Sequence, residues 1–439
     1  MDGHVHTANQ ARSITLMQCA TEAVRDGRFH AAVALAEVAA AAHPTVHTAL
    51  QLSEVHELCG EVGKAQNIRL DALARFPASA YHIKLQRAYY AARRGELTLS
   101  GKLYEELLAE FPACRDVHYP LGGVFALLGQ HDRANDLFAR GALVTCGDGS
   151  ITSARTIHIP DRPGDGSVPV PLARCCKIGA MVRRDHTIDC IYAVACDSKY
   201  LNLFAAAMCR SIVANSGLRC AIHFHVINPD DAALRSVRSL ADMTATPVSW
   251  SVEEVDLSGL SLAQQRTYYA CARYFMLPSL LRESAVPIIL ADIDMIVIRS
   301  LADLLTRFVE HDVGLMRFDH SAPNPLSMIS ASFVLFAASD GARRFATTLR
   351  DNLAGRMIDP ASFAWHLDQA GLFATYLFHS DIKFQNLSPT IMYSQVVRSG
   401  VIAQPSEHAL LWSVTATHAA NLAQLADPGY MRLVDGSVV

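Results

Sequence analysis

Two periodicities divide the chain. Up to about residue 146, apolar positions recur at helical spacing, broken only by short polar interruptions. Glycines fall at Gly27, Gly60, Gly95 and Gly129, at intervals of 33, 35 and 34, and Pro44, Pro77 and Pro112 each follow a glycine by 17 residues. Five residues past each glycine stands a small side chain: Ala32, Ala65, Ser100 and Ala134. Ala39 and Ala72 sit twelve past the first two, and the aromatics Tyr104 and Phe138 nine past the last two. Each unit reads as a helix, a glycine turn, a second helix and a terminating proline. Small residues at fixed helical positions let neighbouring helices approach closely, and the aromatics fill the space between them.

From Asp189 onward the period changes. DCIYAVAC, RCAIHFHVI, TPVSWSV and VPIILA are short β-rich runs. Between them lie the helical stretches LNLFAAAMCRSIVANS, PDDAALRSVRSLAD and LAQQRTYYACARYFMLPSLLR. The second of these opens on Pro229 and two acids, a helix start signal. Strands alternating with helices of this length predict a mostly parallel sheet covered on both faces. The stretch between the two regions, residues 147 to 187, is rich in Gly, Pro and Ser and reads as a linker or an irregular connecting layer. The expected division is thus an all-α repeat at 1–146, a connection at 147–187 and an α/β domain at 188–439.

One position breaks the apolar pattern. VPIILADIDMIVIRSL, residues 286 to 301, carries Asp292 and Asp294 among almost exclusively apolar neighbours. An unpaired buried carboxylate costs several kcal/mol on the order of a desolvated ion. The two acids therefore reach solvent at a strand end, have cationic partners, or hold a metal. Ligands of open α/β sheets sit beyond the carboxyl ends of the strands, where these acids fall. Two carboxylates one residue apart suit a hard divalent cation, Mn²⁺ or Mg²⁺, whose remaining positions are filled by phosphate oxygens and water.

Composition narrows the partners. The 439 residues suggest two to three domains, and 51% apolar with 18% charged residues provide for real cores. A net charge of −4 without basic clustering argues against nucleic acid and against a polybasic membrane anchor. Eleven cysteines include no C-x-x-C pair, and the adjacent Cys175 and Cys176 have nothing beside them to complete a site, so a reducing compartment is expected. The N-terminal MDGHVHTANQARS lacks a signal pattern and no run nears 18 apolar residues, which predicts a cytoplasmic chain without a membrane span.

Two resemblances follow from these motifs. The period near 34 with its Gly, small, aromatic, small, Pro order resembles the tetratricopeptide repeat over roughly residues 15 to 146, although the first helix of each unit lacks the expected Trp. Such solenoids present a concave surface, which implies a protein or peptide partner; a dimerisation or docking module is the other reading. In the second region, Asp197, Lys199 and Tyr200, then Arg273 in YYACARYFMLP, the Asp-Ile-Asp at 292 to 294 and DQAGLF at 368 to 373 occur in order. Together they resemble a GT-A glycosyltransferase of the glycogenin and bacterial galactosyltransferase type, retaining enzymes that use UDP-sugars, over about residues 188 to 420.

The resemblance implies roles. Asp292 and Asp294 would ligate Mn²⁺, the first also near the ribose, with His418 of SVTATHAANL as third ligand. Tyr200 would stack on the uracil and Asp197 hydrogen-bond it, while Arg273 would face the donor phosphates or brace the metal acids. Asp368 and Gln369 would lie beside the anomeric carbon, serving transfer of a hexose from a UDP-sugar to a protein, peptide or glycan hydroxyl. Departures are Lys199 where the family has Asn, Ser330 and Ser332 for Asn and Gly, Phe373 for Asn, and no Lys-Pro-Trp after His418. A nucleotidyltransferase would need a Gly-rich basic loop where ACDSKYLNL stands. The departures also keep open an interaction scaffold with an inactive transferase-like domain.

Overall fold

The computed structural model describes residues 2–112, 114–143, 157–160, 164, 166–170, 173–180, 187–243, 246–318, 323–359, 363, 366–393 and 409–413. The chain forms two compact units, the first holding Met1–Val144 with His320–Pro323 and the second Thr145–Asp319 with Asn324–Val439.

The first unit is all helix: α1 Asp2–Arg25, α2 Phe29–Ala42, α3 Val46–Leu58, α4 Val62–Arg75, α5 Ala80–Arg93, α6 Leu97–Glu110, α7 Arg115–Leu127 and α8 His131–Leu143. They pack as the hairpins α1/α2, α3/α4, α5/α6 and α7/α8. Each hairpin turns on one of the periodic glycines, at φ +72, +80, +78 and +74° for Gly27, Gly60, Gly95 and Gly129. At Gly60 the glycine N–H donates to Glu57 O at 3.1 Å and the next N–H, of Glu61, to His56 O at 2.8 Å. This closes the helix in a left-handed cap that side chains with a Cβ resist. A Cβ at Gly60 would touch nothing within 4 Å, so the backbone angle alone selects glycine.

The small residues of the pattern do what their spacing implies. Ala32, Ala65, Ser100 and Ala134 are fully buried, as are Tyr104 and Phe138. Space for Phe138 comes from Gly122 on α7, where an added Cβ would lie 2.4 Å from the ring. Pro44, Pro77 and Pro112 stand two residues beyond the ends of α2, α4 and α6. The unit also buries one ionic knot. Arg69 bonds Glu57 at 2.8 Å, Glu57 also takes Arg94, and the Arg69 guanidinium lies 4.3 Å from the centre of the Tyr90 ring. A buried guanidinium is tolerated there because carboxylate and ring replace its water.

The second unit is α/β. Its elements are β1 Ala173–Ala180, β2 Cys190–Asp197, α9 Ser198–Asn215, β3 Cys220–Ile227, α10 Asp231–Met243, β4 Val248–Val255, α11 Leu262–Glu283, β5 Ile288–Ala291, β6 Met295–Val297, α12 Ala302–Phe308, β7 Val313–Arg317, β8 Ile329–Phe336, α13 Asp340–Ile358, α14 Leu367–Phe378, β9 Phe384–Leu387, β10 Met392–Tyr393 and β11 Leu411–Ser413. The main sheet has the order β1-β4-β3-β2-β5-β8-β7-β9. The pairs β2/β3, β3/β4, β2/β5 and β7/β9 are parallel; β1/β4, β5/β8 and β7/β8 are antiparallel. A small sheet, β10-β11-β6, lies beside it in sequence after the two acids.

Alternation on β2 and β3 sends Cys190, Tyr192, Val194, Cys196, Ile222, Phe224 and Val226 into one core with Leu201, Phe204 and Met208 of α9 and Val237 of α10. The long α11 packs along β2 and β3 and against α13. β1 arises within the stretch that composition reads as a linker, and is held at the sheet edge by β4. Helix starts follow the sequence signals: Ser261 and Gln264 form a reciprocal capping box on α11, and Asp230 accepts the Ala233 N–H at 2.7 Å ahead of α10. Among the described residues no helix is long and apolar enough to cross a membrane.

The glycine turns give a paired test. Gly60→Ala is expected to destabilise the protein by about 1 kcal/mol through its positive φ, whereas Gly63→Ala, on α4 with open space around it, is expected to be neutral or stabilising by a few tenths. Urea unfolding monitored by helical circular dichroism measures both, and equal effects would remove the turn argument.

Candidate active site

The parallel strands β2 and β5 end side by side, and their next residues open the site. β2 ends in Asp197, which caps α9 by accepting the Tyr200 N–H on Oδ1 at 2.8 Å. Tyr200 is thereby fixed at the first turn of α9, 36% exposed, its ring 5.4 Å from that of Phe204. β5 ends at Ala291, and the chain turns through Asp292 and Asp294 into β6. The turn is tied at both sides: Asp292 N–H donates to Ser332 O of β8 at 3.1 Å, and Met295 N–H donates to Asp292 O at 3.2 Å.

Arg273 links this turn to a distant segment. It sits on α11, 4% exposed, and its Nη1 donates to Asp292 Oδ1 while Nη2 donates to Asp368 Oδ2 at 3.2 Å. Asp368 stands in the first turn of α14, where the Gln369 N–H donates to its Oδ1 at 2.9 Å. The residue before α14, His366, holds a left-handed φ of 70°. One guanidinium thus brings together two carboxylates 76 residues apart in the chain (368 − 292).

Electrostatics separate the acids. Burial works against the charge of Arg273, but Asp292 foremost and Asp368 after it outweigh that and raise its pKa above the ordinary value. Burial raises the Asp368 carboxyl as well, opposed by Arg273. Asp294 is pushed up to about 7, first by burial and then by the negative charge of Asp292. No ion pair closes on Asp294 among the described residues. Partial burial, followed by Asp294 and Asp197, raises the Tyr200 phenol, and burial followed by Asp197 raises that of Tyr269. Tyr200 and Tyr269 therefore share the field of these acids.

Asp197, Tyr200, Arg273, Asp292, Asp294, Asp368 and Gln369 all fall around this end of the sheet in the fold. His418 lies outside the described residues. Both terminal nitrogens of Arg273 meet carboxylates, Nη1 that of Asp292 and Nη2 that of Asp368. Lys199 points to the exposed side of α9, Phe373 is fully buried core, and Ser332 acts through its backbone carbonyl. The sequence reading missed Tyr192, on β2. Its buried hydroxyl has no hydrogen-bond partner among the described residues, and its pKa is raised by burial and then by Asp292. It also missed Tyr274, whose hydroxyl holds Ala331 O at 3.1 Å. A tyrosine inside an apolar strand or helix was the available signal for both.

The donor chemistry fits a hard divalent cation. Asp292 and Asp294 are oxygen donors, and Asp294 is a half-buried acid with no ion-pair partner among the described residues. Among the described residues no group of three or more His, Cys, Asp or Glu is arranged to hold a metal, so these two carboxylates are what that part of the chain offers.

No protein-family model matches the chain, and no curated protein sequence does. Among solved structures, a bifunctional glycosyltransferase, WbbM in its apo form, is similar at 13% identity and a TM-score of 0.39, over 59% of this chain and 53% of that one. The chain thus matches about half the length of that protein. Mouse xyloside xylosyltransferase 1 is similar at 11% identity and TM-score 0.33, over 52% of this chain and 97% of that one. A tetratricopeptide repeat protein from Parabacteroides merdae is similar at 20% identity and TM-score 0.26, over 33% and 57%.

Asp294 makes stability depend on pH in a defined sense. Its folded pKa of about 7 exceeds the unfolded value of 3.8, so the folded state holds the proton longer and loses stability as pH rises between them. A divalent cation needs the deprotonated acid and relieves the cost of the charge. Mn²⁺ is therefore expected to raise the melting temperature more at pH 8 than at pH 5.5, and Asp294→Asn to flatten that difference. Equal Mn²⁺ stabilisation of both proteins at both pH values would remove Asp294 from the metal site.

Proposed function

We propose that the protein is a glycosyltransferase that moves a hexose from a UDP-sugar to an acceptor hydroxyl, with retention, using Mn²⁺ or Mg²⁺ held by Asp292 and Asp294. The observation that carries this reading is the arrangement at the carboxyl ends of β2 and β5. Asp294 has no ion-pair partner among the described residues, Asp292 and Asp368 are tied by Arg273, and Tyr200 lies within the field of Asp294 and Asp197. An anionic diphosphate and a polar sugar meet complementary chemistry there: a cation between acids and phosphate, an aromatic face for the base, and carboxyl and amide groups for hydroxyls. When bound, the cation supplies positive charge to the departing diphosphate. His418 is its expected third ligand.

This chain's own residues account for the rest. Tyr200 offers a face to the uracil, and Asp197, with Oδ1 spent on the α9 cap, keeps Oδ2 for a base N–H. Gln369 Oε1 is buried and without a hydrogen-bond partner among the described residues, which suits it to accept from a sugar hydroxyl. Asp368 holds Arg273 with one oxygen and the Gln369 N–H with the other. A carboxylate so engaged is a weak nucleophile, which favours front-face attack, the leaving phosphate oxygen taking the acceptor proton, over a covalent intermediate on Asp368. Asp368 then positions the sugar and stabilises charge developing at its anomeric carbon. Every residue named above lies in the α/β unit, and we assign the helical repeat to selecting a protein or peptide acceptor.

Two variants test the reading. Asp294→Asn is expected to abolish Mn²⁺-dependent hydrolysis of a UDP-sugar with an unchanged circular dichroism spectrum; retained turnover would sink the metal assignment. Tyr200→Ala is expected to weaken UDP binding by about 1–3 kcal/mol, read by calorimetry. An unaltered affinity would leave Tyr200 as a packing residue.

A further inference from the structure

A second polar system lies in the same α/β unit and uses none of the residues above. On β4 the usual alternation is inverted: Ser249, Ser251 and Glu253 are the buried residues, whereas Val248, Trp250 and Val252 are only half-buried. The paired β3 contributes His223 opposite Ser249 and His225 opposite Ser251. These side chains form one continuous ladder. His223 Nδ1 meets Ser249 Oγ at 2.8 Å and its Nε2 meets Ser251 Oγ at 3.1 Å. His225 Nδ1 meets Ser251 Oγ at 2.8 Å and its Nε2 meets Glu253 Oε2 at 2.8 Å. Tyr268 of α11 donates its hydroxyl to Glu253 Oε1.

One set of protons satisfies the rungs from His223 on: His223 donates to Ser251, Ser251 to His225, and His225 and Tyr268 to Glu253, while the Ser249 hydroxyl lies within reach of both His223 Nδ1 and Ile222 O. Burial, then His225, lowers the pKa of His223 to about 3, so its neutral form is the resting one. Five buried polar side chains on two adjacent strands are a costly way to pack a sheet against a helix. Four of them, His223, His225, Ser251 and Glu253, form the base of a cavity of about 480 Å³. Phe275, Met276, Pro278 and Leu280 of α11 make its apolar wall, and Arg282 and Arg350 also border it. Arg282 is exposed and bonded to Ser279, and Arg350 uses its Nη1 on Gly166 O and Asp351. Both guanidinium groups keep further donors.

We propose that this cavity is a second binding site, for a small amphipathic acid carrying a hydroxyl. Its apolar body lies along Phe275, Met276 and Leu280, its hydroxyl reaches Ser251 and Glu253, and its anionic group meets Arg282 and Arg350. The volume is that of an ordinary small-molecule pocket, with apolar walls and few convergent polar groups. Each carboxyl oxygen of Glu253 has one bond and a second lone pair, so the base takes a donor without breaking the ladder. The arginines favour an anion over a cation at the other pole.

Calorimetry on the full-length protein with octanoate, 8-hydroxyoctanoate and octylamine tests the proposal. One-to-one binding is expected, 8-hydroxyoctanoate tightest by about fivefold for one added hydrogen bond, and octylamine weakest. Ser251→Ala should remove the advantage of the hydroxyl, and Arg282→Ala that of the acid over the amine. Thr347→Trp, on α13 at the cavity edge, should block all three probes while UDP-sugar hydrolysis persists. Absence of saturable binding at millimolar probe, a preference for octylamine, or binding indifferent to Thr347→Trp would overturn the proposal.

Discussion

Arg273 is a full positive charge placed almost entirely out of water, and the α/β unit is arranged around meeting that demand. Stranding a buried guanidinium by removing a partner typically costs about 3–5 kcal/mol, so the carboxylates that face it are not free to wander. Asp292 comes from the end of β5 and Asp368 from the first turn of α14, while Arg273 belongs to α11. The ion triad therefore ties α14, remote in the chain, to α11 and the end of β5, which follow one another. It also bears on the acid it does not touch. Burial first and the charge of Asp292 next push the pKa of Asp294 up to about 7, and Arg273 offsets only part of that. One buried cation thus organises the fixed acids beside the acid left open to a ligand.

Much of this frame was legible in the chain. An apolar strand that stops in Asp-x-Asp must release its acids at an end, and β5 does stop at Ala291. Periodic glycines revealed the hairpin turns because a positive φ has few other solutions. Less legible was what depends on partners far along the sequence. β1 hides in a stretch whose Gly, Pro and Ser suggest a connection, since an edge strand is fixed by the ladder it joins more than by its own pattern. The Arg273–Asp368 bond spans 95 residues, and only the position of α14 makes it. That bond makes Arg273 a link between two acids rather than a partner of one.

The β3–β4 ladder was written in the sequence and passed over. HFH and SWSVE carry polar residues at period two, which ordinarily marks a solvent face. Here the covering helix α11 reverses the assignment: Tyr268 bonds the Glu253 end, and the row is buried between sheet and helix apart from the cavity it lines. Period alone fixes which residues share a face; the neighbouring layer decides which face is inside.

The two polar systems differ in how they meet the cost of burial, and that difference bears on function. At the carboxylate centre, polar atoms remain unsatisfied among the described residues: Arg273 Nε, Gln369 Oε1 and the Tyr192 hydroxyl, beside an acid whose pKa is pushed up by burial to about 7. In the ladder every histidine nitrogen, serine hydroxyl and carboxyl oxygen already has a partner. Binding at the first therefore relieves a penalty already present in the folded state, which couples ligand and stability. Binding at the second adds contacts to a base that is stable without them. Its affinity must come from the apolar wall and the two arginines, and occupancy should leave the ladder's proton arrangement as it stands.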